Sequence, residues 1–176
     1  KCLNTLILAG FLDAHPRIHV RSNALAGDPN FDLREELAFL QLPSPLMTIR
    51  FQDVDRDAFQ RFFDCLAPTF GHMISLGQSN TIVSCPALTT HSEMDEDALR
   101  QANIDPTTIR IALGDEDSRD LIIHFMEASR LTLDPVHPGF SDGFMSVDEI
   151  NALIEKTSMD VQRKYVQSKL IPASAQ

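Results

Sequence analysis

Arg110 is the only charge in the run Thr-Ile-Arg-Ile-Ala-Leu-Gly at 108–114. Ile109, Ile111 and Leu113 share one face by the two-residue period of a strand, so Arg110 and Ala112 point to the other. A guanidinium on a rigid strand, beside a small neighbour and ahead of Gly114-Asp-Glu-Asp117, is placed to fork onto a carboxylate through two parallel N–H donors. The competing reading is an arginine that snorkels from an ordinary open sheet, its stem lying on apolar surface.

The other reactive side chains point to less. Cys2, Cys65 and Cys85 form no metal spacing and leave an odd count, which suits a reducing compartment, so the cytoplasm is expected. His15, His19, His72, His91, His124 and His137 include no pair at a ligand spacing backed by a carboxylate motif, and no metal site is expected. With 25 acidic residues against 15 Lys and Arg, and no basic cluster, a nucleic-acid partner is not expected. The acidic residues are scattered and serve solubility. No apolar run approaches the roughly 18 residues of a membrane span, nor does any segment resemble a secretory leader.

The elements that must position Arg110 follow from the apolar periods. A chain of 176 residues that is 43% hydrophobic can build one domain with a real core, or a domain plus an appendage. Leu3, Leu6, Ile7 and Phe11 follow helical spacing until His15-Pro16 stops them. Residues 17–30 read as loop, 31–40 as a short helix, and Met47, Ile49 and Phe51 as the inward face of a strand at 46–51. Phe59, Phe62, Phe63 and Leu66 form a core-facing stripe on a helix that opens after Asp55. Short strands are predicted at 72–76 and 80–84 around the turn Gly77-Gln78-Ser79. A helix follows at 95–102, then the Arg110 strand at 108–113 and a helix at 117–131. This order predicts an α+β fold, an open, mostly antiparallel sheet covered on one face by helices. The uncovered face, which carries Arg110, must meet solvent or another domain.

After Leu133 the character changes. Residues 134–145, with Asp134-Pro135, His137-Pro138-Gly139 and Ser141-Asp142-Gly143, read as a linker. Ser146 and Glu149 then predict a capping box. It opens a helix whose stripe Val147, Ile150, Ile154, Val161 and Tyr165 must pack on this domain or on a partner subunit. The expected division is therefore a domain at 1–133, a linker at 134–145, and an appended amphipathic helix with tail at 146–176.

The residues at 70–91 carry a family resemblance. Ser75-Leu76-Gly77, Thr81, Val83, Pro86-Ala87, Thr89 and His91, followed by Arg110, Gly114, Glu116 and Asp117, match a pattern in order and spacing. The pattern is Ser-Leu-Gly, Thr-x-Val, Pro-Ala, Thr-x-His and Arg-x-x-x-Gly-x-Glu-Asp. The chain thereby resembles the C-terminal domain of the Cys/Met-metabolism pyridoxal-phosphate enzymes, the group of cystathionine γ-synthase, cystathionine lyases, methionine γ-lyase and O-acetylhomoserine sulfhydrylase. The opening Cys2-Leu-Asn4 to His15-Pro16 resembles the helix that leads out of that family's large domain. The resemblance runs over about residues 1–131, weakest between 17 and 56. Leu42-Pro-Ser-Pro45 departs from its usual Gly-rich entry to the strand at 46–51, Gln78 stands where a second Gly is common, and Cys85 stands where a His is common.

The resemblance implies the small domain of a fold-type I pyridoxal-phosphate enzyme, a C–S lyase or γ-replacement enzyme of sulfur amino acids, forming a dimer or tetramer. In such an enzyme the cofactor stabilises carbanions on the substrate while the protein positions the substrate. Arg110 would bind the substrate α-carboxylate, and Ser75, at the end of its strand, would help orient that carboxylate or the catalytic lysine. His91 would cap a turn through backbone hydrogen bonding, and Glu116 with Asp117 would cap the following helix. The family's cofactor-bearing lysine and phosphate-binding residues belong to its large domain. No Ser-x-Thr-Lys segment occurs here, and Lys1, Lys156, Lys164 and Lys169 sit in helical or terminal contexts. No catalytic or cofactor-binding residue is therefore expected in this chain, and an upstream cofactor domain is its expected partner. The alternative is a non-catalytic binding or assembly module that uses the 146–168 helix to dock a partner.

Overall fold

The computed structural model describes residues 1–102 and 104–170. Its helices are α1 (Cys2–Asp13), α2 (Phe31–Leu37), α3 (Arg56–Cys65), α4 (Glu96–Gln101), α5 (Ser118–Thr132) and α6 (Val147–Gln167). Its strands are β1 (Ile18–Arg21), β2 (Leu46–Phe51), β3 (Gly71–His72), β4 (Ile82–Ser84) and β5 (Ile109–Ala112). They form one open sheet in the order β1-β2-β5-β4-β3, antiparallel except for the β3–β4 pair. The architecture is the expected α+β arrangement, with helices on one face.

Period and burial agree on which face is covered. Met47, Ile49, Phe51, Val83, Ile109 and Ile111 are all buried and belong to the same core as Phe59, Phe62, Leu121, Ile122 and Phe125 of α3 and α5. Asp55 caps α3 by accepting from the amides of Asp57 and Ala58, and Asp117 caps α5 by accepting from Arg119. Helix α1 is wedged between β1, β2, α5 and α6. That position explains why Ile7, Leu8, Ala9, Phe11 and Leu12 are all buried and its apolar surface runs nearly all round.

Three expectations change. The stretch read as loop after Pro16 contains β1, an edge strand that pairs His19 with Arg50 and Arg21 with Thr48. Its four residues alternate, Ile18 and Val20 against His19 and Arg21, but over a run at the lower limit of length for a strand signal. The strand expected at 72–76 ends at His72 and runs parallel to β4, so the two do not form a hairpin about Gly77. The α6 stripe is shorter than its period suggested. Ile150 is buried, and Leu153 and Ile154 pack against the core, whereas Val147 and Tyr165 are exposed.

Residues 134–145 pack closely. Phe140 is 1% exposed, and its ring and that of Phe144 each lie 4.5 Å from the His15 ring. His15 accepts from the Arg17 amide at Nδ1 (3.1 Å), while Nε2 donates to the Phe140 carbonyl (2.9 Å). Accepting at Nδ1 requires the neutral ring, and burial lowers the His15 pKa, against the Phe140 bond that favours the charged form. A Cβ on Gly143 would lie 2.6 Å from His15 Nε2, so only glycine fits there.

Candidate functional site

Arg110 sits on the uncovered face of β5, flanked in register by Thr48 of β2 and Ser84 of β4. It is half-buried, and its Nη2 donates to the Ser75 carbonyl at a long 3.4 Å. No carboxylate among the described residues pairs with it. Arg50, on the same face, lies 4.0 Å from the Asp105 carboxylate, so it has a counter-charge that Arg110 lacks. The guanidinium is held on its strand between two hydroxyl side chains, with one long main-chain contact and no carboxylate partner among the described residues, an arrangement able to take a carboxylate.

Ser75 is near Arg110, but not as expected. It follows β3 in an irregular segment, and its main-chain carbonyl rather than its hydroxyl faces the guanidinium. The Ser75 hydroxyl is 3.4 Å from the Gln78 side-chain amide. Gly77, at φ +78°, turns the segment, and Lys1 Nζ donates to the Gly77 and Gln78 carbonyls at 3.1 and 2.6 Å. Met73, Ile74 and Leu76, in the same segment, are exposed.

A second set of bonds holds β5 in place. Thr81 Oγ1 donates to the Glu116 carboxylate (2.8 Å) and accepts from the Gly114 amide (2.9 Å), and the Thr81 amide donates to Glu116 as well. Asn4 of α1 donates to the Gly114 and Glu116 carbonyls at 3.1 and 2.7 Å. A Cβ on Gly114 would meet Ser79 and Asn80 backbone atoms at 2.4 Å. Glu116 therefore ties β5 to β4 and does not cap α5. Asp117 alone does so, and the Arg119 side chain beside it brings its carboxyl down to about 2. Thr81, Gly114 and Glu116 were visible as motif residues, but their mutual contact was not legible. Asn4 carried no signal of its own.

The remaining candidates stand apart from Arg110. The His91 ring meets the neighbouring Thr90 hydroxyl at 2.8 Å, and the turn at 85–91 is closed instead by the His91 amide and the Thr89 hydroxyl. Burial raises the Cys85 thiol to about 11, which leaves it unreactive. All three cysteines are unpaired. No group of three or more His, Cys, Asp or Glu among the described residues is arranged to hold a metal. No described helix is long and apolar enough to cross a membrane.

The family model described as Cys/Met metabolism PLP-dependent enzyme matches residues 1–129. The chain belongs to this family. It is 30% identical over 126 residues to O-acetyl-L-homoserine sulfhydrylase 1 of Thermus thermophilus, covering 71% of this chain and 29% of that protein. It is 28% identical over 129 residues to L-methionine gamma-lyase of Pseudomonas putida, covering 72% and 31%. Among solved structures, a Campylobacter jejuni O-acetylhomoserine (thiol)-lyase carrying N'-pyridoxyl-lysine-5'-monophosphate superposes with a TM-score of 0.61 at 31% identity, over 72% of this chain and 30% of that one. Cystathionine gamma synthase of Xanthomonas oryzae superposes with a TM-score of 0.60 at 25% identity, over 74% and 33%. The chain thus spans about 30% of the length of the relatives it matches.

The family's cofactor needs a lysine, and the lysines present do not fit that role. Lys156 and Lys164 lie on α6, Lys169 lies over the Tyr165 ring, and Lys1 is spent on the Gly77 and Gln78 carbonyls. No lysine occupies the strands that form the Arg110 face.

Proposed function

We propose that residues 1–133 are the substrate-carboxylate-binding domain of a pyridoxal-phosphate enzyme of sulfur amino acids. The parent is a C–S lyase or γ-replacement enzyme acting on O-acylhomoserine, cystathionine or methionine-like substrates, and an upstream domain holds the cofactor. The observation that carries this reading is Arg110 on the open sheet face, held by the Ser75 carbonyl and without a carboxylate partner among the described residues. Arg110 binds the substrate α-carboxylate in two parallel hydrogen bonds and fixes the orientation of the amino acid. Ser75 positions Arg110 through its carbonyl. The exposed Met73, Ile74 and Leu76 accord with a face covered in the assembled enzyme, a homo-oligomer. Three unpaired cysteines accord with the cytoplasm.

The test is Arg110→Ala in the enzyme expressed with its upstream domain. The expected loss is about 2–4 kcal/mol in transition-state binding, a fall in kcat/KM of about 30- to 900-fold. An unchanged kcat/KM overturns the assignment.

A further inference from the structure

The helical layer, on the side of the sheet away from Arg110, holds a groove of about 490 Å³ between α1, the turn at Phe39–Gln41 and the second half of α6. Leu6, Leu42, Leu153 and Val161 supply apolar lining. Half of the polar lining residues are cationic, namely Arg34, Lys156, Arg163 and Lys164. In a chain with only 15 Lys and Arg against 25 acidic residues, this gathering reverses the overall charge. Two carboxylates temper it: Asp160 lies 3.4 Å from Arg163, and Glu35 bonds Arg34 Nη2. Lys156 and Lys164, eight residues apart on one helical face, have no ion pair among the described residues.

Arg34 gives a second, independent observation. It is 7% exposed, and its guanidinium lies 4.4 Å from the Phe31 ring centroid. Its Nε is buried with no hydrogen-bond partner among the described residues, and the residue lines the groove. A buried charged group short of an acceptor favours a further anionic partner, and an anionic head in the groove approaches the Arg34 guanidinium where the residue lines it. The volume falls within the roughly 300–1,000 Å³ of small-molecule sites, which are also apolar with a few converging polar groups.

We propose that this groove binds a small amphiphilic anion, an oxyanion head on a short aliphatic chain. The head meets Arg34 and the lysines of α6, and the chain lies on Leu6, Leu42, Leu153 and Val161. A carboxylate and a phosphate ester share this chemistry. The site is assembled only where α6 meets the rest of the chain, so binding braces α6 against α1.

The experiment titrates the 176-residue chain with octanoate, octyl phosphate and inorganic phosphate, followed by calorimetry and backbone amide shifts. Saturable binding of octanoate or octyl phosphate is expected, with shifts at Arg34, Leu42 and 153–164, and whichever binds more tightly identifies the head. Inorganic phosphate is expected to bind at least about tenfold more weakly, since it lacks the chain. The double variant K156E/K164E reverses two groove charges on α6 and, with its helix content confirmed by circular dichroism, should weaken binding at least about tenfold. No saturable binding by either amphiphile at millimolar concentration overturns the proposal. So does binding that the double variant leaves unchanged, or inorganic phosphate binding as tightly as octyl phosphate.

Discussion

On one side of β5, Ile109 and Ile111 are sealed under a phenylalanine-rich helical layer; on the other, Arg110 stands between two hydroxyl side chains with no carboxylate partner among the described residues. The apolar groups of the covered side are closed over within the chain by α1, α3, α5 and the 134–145 stretch. On the proposed reading the uncovered side is completed by a substrate carboxylate at Arg110. A rigid strand that serves the core with one face is thereby free to present a polar group for binding on the other.

That contrast can be broken from the covered side first. Phe62, fully buried against Phe51 and Phe125, is expected to cost about 3–5 kcal/mol on truncation to Ala, read as a lowered urea midpoint. A loss below about 1 kcal/mol would mean this face is not the core. Thr81→Val keeps the shape but removes the hydroxyl that donates to Glu116 and accepts from the Gly114 amide, leaving only the Thr81 amide on Glu116, for about 1–3 kcal/mol.

His15 sharpens the comparison through pH. Its pKa is lowered in the folded chain, so the unfolded chain binds the extra proton more readily below the ordinary value of 6.5. Its contribution is therefore fully present above that value and is lost as the pH falls through it. The urea midpoint should drop between about pH 7.5 and 5.5, and His15→Gln should flatten that drop. A midpoint that rises on acidification contradicts the neutral His15 pin. On the open side the effects on stability should be smallest. Arg110→Ala is expected to shift stability by no more than about 0.5 kcal/mol. Ser75→Ala, which keeps the carbonyl that Arg110 uses, should change kcat/KM of the full enzyme by about twofold at most.

The strand period placed Arg110 on the open face without any coordinates, because alternation needs only residue types. The caps at Asp55 and Asp117 and the capping box at Ser146 were legible for the same local reason. What escaped was long-range. β1 alternates over four residues only, a run at the lower limit for a strand, and the contact of Glu116 depends on Thr81, 35 residues away. The 134–145 stretch is rich in turn formers, yet Phe140 is carried into the core by His15, 125 residues earlier. The main-chain role of Ser75 could not be read from a side chain at all.

The measurement that bears most directly on the account is kcat/KM of Arg110→Lys beside Arg110→Ala, in the enzyme expressed with its upstream domain and assayed on an amino acid substrate. Lysine keeps the charge and loses the two-pronged fork. The account expects Lys to lose at least about tenfold and Ala about 30- to 900-fold. A lysine variant with wild-type kcat/KM would contradict two-pronged carboxylate binding at Arg110.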